Sequence, residues 1–416
     1  MKLRNTAIAL GVGVATATGL PLLKVNKEIV IGSTAVVVGA GLMIALKDEE
    51  ELEINSLEVK NTQLKEIAYK EMEQGNSKDA ISNYLIYLKD HKDDIEALNN
   101  LGHLYRVTNC ASDSEKIFKK ILKLDNKNKT AMYNLGVLKQ DCGDCESAIY
   151  WYDKTIELGT NDGDIYFNRA LAKSKLKYIV GIISDLEKSY DLGCKDAGLA
   201  LIKILHSKAE EEYSEGRIKN AIQFCSDVLD IDSTHLESLV NRAIFKTELG
   251  DYLGAIEDYK KRIEIDPKKD DGYFDLGLTK MKEGNSQEQA IEDFNKVISI
   301  NPSYQQAFNM RGQAKRELGQ LNNSIEDFNQ AIQLDPKYAN AFTNRGGAKY
   351  ALKDYEGAIA DHSKAIEIVP EERNYYFNRA NARKEIGDLK GACEDWERAA
   401  DLGDEEAEKL LEEHCR

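Results

Sequence analysis

The sequence predicts an all-α solenoid of about ten helix-turn-helix units, preceded by an apolar N-terminal helical hairpin. Three observations carry that expectation. A segment of about 34 residues recurs ten times, starting at Asn61, Ile95, Lys129, Gly163, Ile202, Leu236, Asp270, Gln305, Ala339 and Arg373. A fixed period of this length marks stacked units that contact mainly their neighbours. Within each segment, small and large residues recur three or four apart along two successive stretches, the spacing of one helix face. Ahead of the repeats, Thr6 to Leu23 and Ile29 to Leu46 are two stretches of 18 residues without a formal charge.

As helices, the two apolar stretches would each be about 27 Å long, close to the ~30 Å of a hydrocarbon core. Lys24, Lys27 and Glu28 lie in a link too short for a domain, so two spans would form a tight hairpin. Gly11, Ala15 and Gly19 are spaced by four, as are Ala35 and Gly39, which lets membrane helices pack closely. Lys2 and Arg4 before Ala15–Thr16–Ala17 also fit a secretory signal cleaved after Ala17. A third possibility is an apolar hairpin packed on the solenoid. The expectation taken forward is a membrane anchor at 1–47, inserted through residues 6–46, with the repeats on the cytoplasmic side. Lys2, Arg4 and Lys47 lie outside the hairpin loop against Lys24 and Lys27 in it. Residues 48–60 form an acidic connector without Gly or Pro.

The unit starting at Leu236 shows the frame. Leu239 stands at place 4, Ala243 at 8, Gly250 at 15, Ala255 at 20, Tyr259 at 24 and Pro267 at 32. Small residues at 8 and 20 allow two helices to approach, and large ones at 4 and 24 fill the space between neighbouring pairs. Gly at place 15 suits a left-handed cap, and Pro at 32 stops the second helix. Leu135–Gly136 with Gly143–Asp144, Ala148 and Tyr152 repeats the pattern, as does Ala380 with Gly387–Asp388, Ala392 and Trp396. On these residues the chain resembles the tetratricopeptide-repeat (TPR) family, from Asn61 to Arg416. The resemblance implies a right-handed α-solenoid whose first helices line a concave, protein-binding groove. The first five repeats lack the Pro at place 32, and Ser114 and Ile182 replace the small Ala at place 20 in the second and fourth.

A longer repetition is superposed. Tyr166–Phe167–Asn168–Arg169–Ala170 reappears as Tyr376–Phe377–Asn378–Arg379–Ala380, and Asp191–Leu192–Gly193 as Asp401–Leu402–Gly403. In the second copy the following stretch ends the chain and reads as a capping helix. In the first it falls at a five-residue insertion. Two arms are expected, 61–201 with four repeats and a cap-like helix and 202–416 with six and a C-terminal cap, joined at a kink or break.

Composition narrows the function. With 72 acidic and 56 basic side chains the net charge is −16, which disfavours nucleic acid as a partner. The seven cysteines show no disulfide framework and suit a reducing compartment. Cys142 and Cys145 form a C-x-x-C across a turn, read as packing residues. No metalloprotease, Walker or calcium-loop pattern occurs and the six histidines are isolated, so no enzymatic activity, metal or cofactor is expected.

Place 6, on the first helix, is Asn100, Asn134, Asn168, Asn241, Asn344 and Asn378 in six repeats, and place 5 is Tyr133, Phe167, Phe274 and Phe377 in four. Amides offer both donor and acceptor capacity to an extended peptide backbone, and aromatic rings add apolar area. An equal reading of the Asn series is support of helix packing. The resemblance also implies a test for a clamp on chaperone tails: Lys65 and Asn100 fit it, whereas Tyr69, Thr130 and Asn134 do not. The expected function is a membrane-anchored scaffold that binds segments of protein partners, basic or neutral in charge, in assembly or quality control of a complex. The alternatives are a self-associating structural protein or a regulatory subunit of an enzyme supplied in trans.

Overall fold

The computed structural model of the chain describes residues 63–178 and 181–415. Every regular element among them is a helix. In chain order they pair as α1 (63–73) with α2 (Ser77–Asp90), α3 (Ile95–Val107) with α4 (Ala111–Leu124), α5 (Lys129–Asp141) with α6 (Cys145–Glu157), and α7 (Gly163–Lys175) with α8 (Ile182–Asp191). Next come α9 (Lys195–Ser214) with α10 (Ile218–Ile231), α11 (Leu236–Leu249) with α12 (Tyr252–Ile265), and α13 (Asp270–Glu283) with α14 (Gln287–Ile300). The last pairs are α15 (Gln305–Glu317) with α16 (Leu321–Leu334), α17 (Ala339–Ala351) with α18 (Tyr355–Ile368), and α19 (Arg373–Glu385) with α20 (Leu389–Asp401); α21 (Glu405–His414) closes the stack. Each helix packs mainly on the one before and the one after. The result is an all-α stack of ten helix pairs.

Place 15 makes the turn inside each pair. Its backbone is left-handed in all ten repeats, from Gly75 at φ 81° to Gly387 at φ 83°. Seven are glycine. Asn109, Lys177 and Lys353 hold the same conformation at φ 60°, 60° and 65°, which costs an L side chain about 1 kcal/mol or more. An aspartate at the following place often caps the second helix: Asp354 accepts from the Gly357 amide and Asp388 from that of Gly391.

The core is a column of contacts between places 8 and 24. Tyr84, Phe118, Tyr152, Phe294, Phe328 and Trp396 at place 24 are fully buried. In five repeats place 8 is glycine, and a Cβ on Gly102, Gly136, Gly277, Gly312 or Gly346 would come within 2.5–2.8 Å of the facing ring. The non-standard residues at place 20 are absorbed locally. Ser114 is buried and donates to the Gly102 carbonyl at 2.7 Å. Ile182 opens α8 behind a left-handed Gly181 and joins a core cluster with Leu186, Leu201 and Leu205.

The join between the expected arms falls inside α9, with 20 residues the longest helix among the described residues. Its first turns correspond to α21. Ala197 and Ala407 are both fully buried, but in the first copy the cap-like segment runs straight on into the first helix of the fifth repeat. One cluster spans the join, from Ala170 and Leu186 to Leu205 and Val228.

Two expectations change. Membrane anchoring, with its transmembrane helices and cytoplasmic orientation, is withdrawn: among the described residues no helix is long and apolar enough to cross a membrane. Even α9, with the length to span, carries Lys195, Asp196, Lys203, Lys208, Glu210, Glu211 and Glu212. The stretches 6–23 and 29–46, on which that expectation rested, lie outside the described residues, as does the connector at 48–60. Second, Cys393 and Cys415 form a disulfide that ties the last helix to α20. In the first copy the equivalent positions are Ile183 and Leu205, which meet in the same apolar cluster. The C-x-x-C cysteines are free, with Cys142 exposed and Cys145 buried.

Two predictions follow from this core. Gly136→Ala should destabilise the chain by about 1–3 kcal/mol through overpacking against Tyr152, whereas Lys353→Gly should stabilise it by about 1 kcal/mol; paired denaturant melts would show the opposite signs. His362 takes place 24 in the ninth repeat, and burial lowers its pKa from 6.5 to about 4. The unfolded chain therefore takes up the proton first, so stability falls as pH drops through 6.5 and levels off near 4. His362→Phe should remove this loss, ~3 kcal/mol in all, measured as melts of both proteins across that window.

Candidate binding groove

Places 5 and 6 lie on the first helices and bring all ten expected residues into one repeating position. Asn100, Asn134, Asn168, Asn241, Asn344, Asn378, Tyr133, Phe167, Phe274 and Phe377 are each half-buried. Their geometry shows a connection between repeats that spacing alone did not reveal. Asn168 donates to the Tyr133 hydroxyl at 2.9 Å, Asn344 donates to Oδ1 of Asn309 at 3.0 Å, and the Asn241 amide lies 3.3 Å from Nε2 of His206. Each bond runs from place 6 of one repeat to place 5 of the repeat before. Asn100 instead donates to the Tyr84 hydroxyl on α2. These four amides thus hold neighbouring helices in register and keep part of their capacity for a ligand. Asn134 and Asn378 make no side-chain hydrogen bond among the described residues.

The aromatic residues are also shared between packing and exposure. Phe274 sits 5.8 Å from the Phe294 ring and 5.0 Å from Tyr304. Tyr133 lies 6.0 Å from Tyr152, and burial pushes its phenol pKa up. Phe167 packs against the Leu186–Leu201 cluster and Phe377 against that of Trp396. Lys65, which fitted the tail clamp in sequence, is taken up by Asp94 and Glu96 at 2.9 and 2.7 Å.

Sequence reasoning missed a buried charge clasp behind this face. Arg242, Arg311, Arg345 and Arg379 at place 7 each form a two-pronged contact with an aspartate 16 residues on: Asp258, Asp327, Asp361 and Asp395. Arg169 does the same with Asp185. These aspartates are only 3% exposed. A cation at place 11 adds a third contact, as Lys349 does to Asp361 at 2.8 Å. The free arm of the arginine reaches the second helix of the preceding repeat, on Asp153, Ser226, Asn295, Asn329 or Ser363. One guanidinium therefore fixes three helices. In the seventh repeat place 7 is Leu276, and only Lys280 reaches the corresponding Asp293, at 2.6 Å. Burial there raises the Asp293 pKa despite that lysine. In the second and third repeats the positions are Leu101 with Ile117 and Leu135 with Trp151, an apolar replacement for the ion pair. The signal was present as an Arg…Asp spacing of 16, but 16 is not a helical period and acquires meaning only across a helix pair.

A cavity of about 290 Å³ opens between α11 and α13, with Tyr259, Asp275 and Leu278 among its lining. Among the described residues, no group of three or more histidine, cysteine or acidic side chains is placed to hold a metal ion.

Comparisons with known proteins agree with the geometry. A family model described as a TPR repeat matches residues 246–284 and 312–353, and one described as a tetratricopeptide repeat matches 270–304. The chain is a tetratricopeptide-repeat protein. Over 95 residues it is 28% identical to Protein FlbA of Caulobacter vibrioides, a stretch covering 23% of this chain and 16% of that protein. Among solved structures, PilW, a type IV pilus biogenesis factor, is 18% identical with a TM-score of 0.45, covering 51% of this chain and 98% of PilW. The APC/C hetero-tetramer Cut9–Hcn1 is 14% identical with a TM-score of 0.44, covering 87% of this chain and 98% of the matched one. Yeast Tom70 is 14% identical with a TM-score of 0.39, covering 85% and 94%. At these values the likenesses are of repeat architecture alone.

The clasp yields a prediction. Asp361→Ala should cost about 3–5 kcal/mol by leaving Arg345 buried without its partner, while Arg345→Leu combined with Asp361→Ile should cost much less, as comparison of the two melting curves would show.

Proposed function

We propose that this TPR chain is a scaffold that holds an extended segment of a partner protein against its first helices. The observation that carries this is a half-buried amide at place 6 in six of the ten repeats, with an aromatic ring at place 5 in four, along the first helices. A right-handed superhelix, the sense the family resemblance implies, puts these helices on the concave side. Hydrogen bonds from the amides would meet the backbone of the segment, and the rings of Tyr133, Phe167, Phe274 and Phe377 would cover its apolar side chains. The division into arms at 61–201 and 202–416 belongs to this reading, supported by the internal duplication and the resemblance between the start of α9 and the terminal cap.

Self-association is a second reading, favoured by Leu199 on α9 and Leu253 on α12, each 70% exposed. Sedimentation of the full chain beside Leu199→Glu and Leu253→Glu separates the two. A monomer in all three sinks self-association.

Asn134 and Asn378 are the cleanest sites for testing the groove, because neither helps to hold neighbouring helices. The Asn134→Ala/Asn378→Ala double variant should retain full helicity and capture at least about fivefold less partner from cells, a loss of ~1 kcal/mol. Undiminished capture would move the site off the groove.

A further inference from the structure

The lining of the cavity between α11 and α13 differs from the rest of the place-6 series. Place 6 is a neutral amide in six repeats, but in the seventh it is Asp275. This carboxylate lines the cavity together with Glu248, and no hydrogen-bond donor reaches it among the described residues. The nearby guanidinium of Arg262 is already engaged by Asp271. Ile244 and Leu278 supply aliphatic walls, and the deeply buried Tyr259 closes one side. Lys282 is the one cation in the lining. It is exposed and lies seven residues along α13 from Asp275, about 10 Å by helical rise, so it stands at the rim. The cavity, at about 290 Å³, lies at the lower edge of the ~300–1,000 Å³ typical of small-molecule sites. It suits a single long side chain.

We propose that this cavity is a specificity pocket for a cationic side chain, lysine or arginine, of the segment bound in the groove. An apolar stem would lie along Ile244 and Leu278 while the charged head meets Asp275 and Glu248. Two carboxylates against one rim ammonium, in a chain of net charge −16, give the complementarity. Burial raises the Asp275 pKa to about 6. A bound cation would favour the ionised form, so the preference should weaken as pH falls below 6. Glu248 accepts from the Tyr213 hydroxyl at 2.6 Å and remains exposed. Asp271, Arg262, Tyr259 and Lys282 are the other charged or titratable groups around the pocket.

The inference rests on the groove reading, and its test is built to fail separately. The full chain is titrated by NMR with N-acetyl-arginine methylamide and with the uncharged citrulline isostere. The arginine probe should shift the amides of Thr247, Leu278 and Thr279 and bind about tenfold more tightly than citrulline. Asp275→Asn, which installs the residue common at place 6, should make the two probes equal while the fold is kept. Equal binding in the wild type, absence of binding, or a preference that survives Asp275→Asn would overturn the pocket. If any of these is seen while partner capture still depends on Asn134 and Asn378, the pocket alone falls. If capture is also independent of those residues, the groove reading falls with it.

Discussion

The close approach of the two helices within each repeat is the constraint from which the rest of this solenoid follows. A ring at place 24 can lie over a glycine at place 8 because there is no Cβ to collide with it, as Tyr152 does over Gly136 and Phe328 over Gly312. That contact needs a sharp, left-handed turn seven residues further on, and the chain makes one in every repeat, even where Lys177 or Lys353 must adopt it. Once the pair is closed, its outer surfaces are fixed, and neighbouring pairs can stack in only one register.

The register is then held by polar contacts whose strength varies along the chain. In the second and third repeats, leucine, isoleucine and tryptophan fill the place-7 and place-23 positions. From the sixth repeat onward, excepting the seventh, an arginine holds its own aspartate and the preceding second helix together. A buried ion pair is weak evidence of added stability, but its geometry is demanding, and a guanidinium bonded to three helices rejects misaligned stacking. Asn168, Asn241 and Asn344 at place 6 add a further inter-repeat contact from the position next to the arginine on the same helix. The proposed binding face is therefore tied to the fold that builds it.

Much of the fold was legible because a 34-residue period is a statement about neighbours: Gly250, Ala255 and Tyr259 already describe a helix pair. The site was less legible. Asn168 and Asn344 read equally well as ligand-binding amides and as packing residues, and in the fold one amide hydrogen of each is committed to the preceding repeat. The clasp escaped notice because Arg345 and Asp361 are on different helices. The Cys393–Cys415 link escaped because two cysteines 22 residues apart have no local signature; its logic emerges from Ile183 and Leu205, which do the same task by apolar contact in the earlier copy. The apolar hairpin expected at 6–46 lies outside the described residues, and what they do show offers no membrane-spanning helix.

The central claim is that partners lie along the first helices. Its most direct test is site-specific photo-cross-linking of the full chain in cells, with a photoreactive residue at Val137 or Gln313 on that face, or at Tyr150 or Leu253, exposed on second helices. Cross-links to the same partner from positions 137 and 313, and none from 150 and 253, are the predicted result. Cross-links confined to positions 150 and 253 would contradict it.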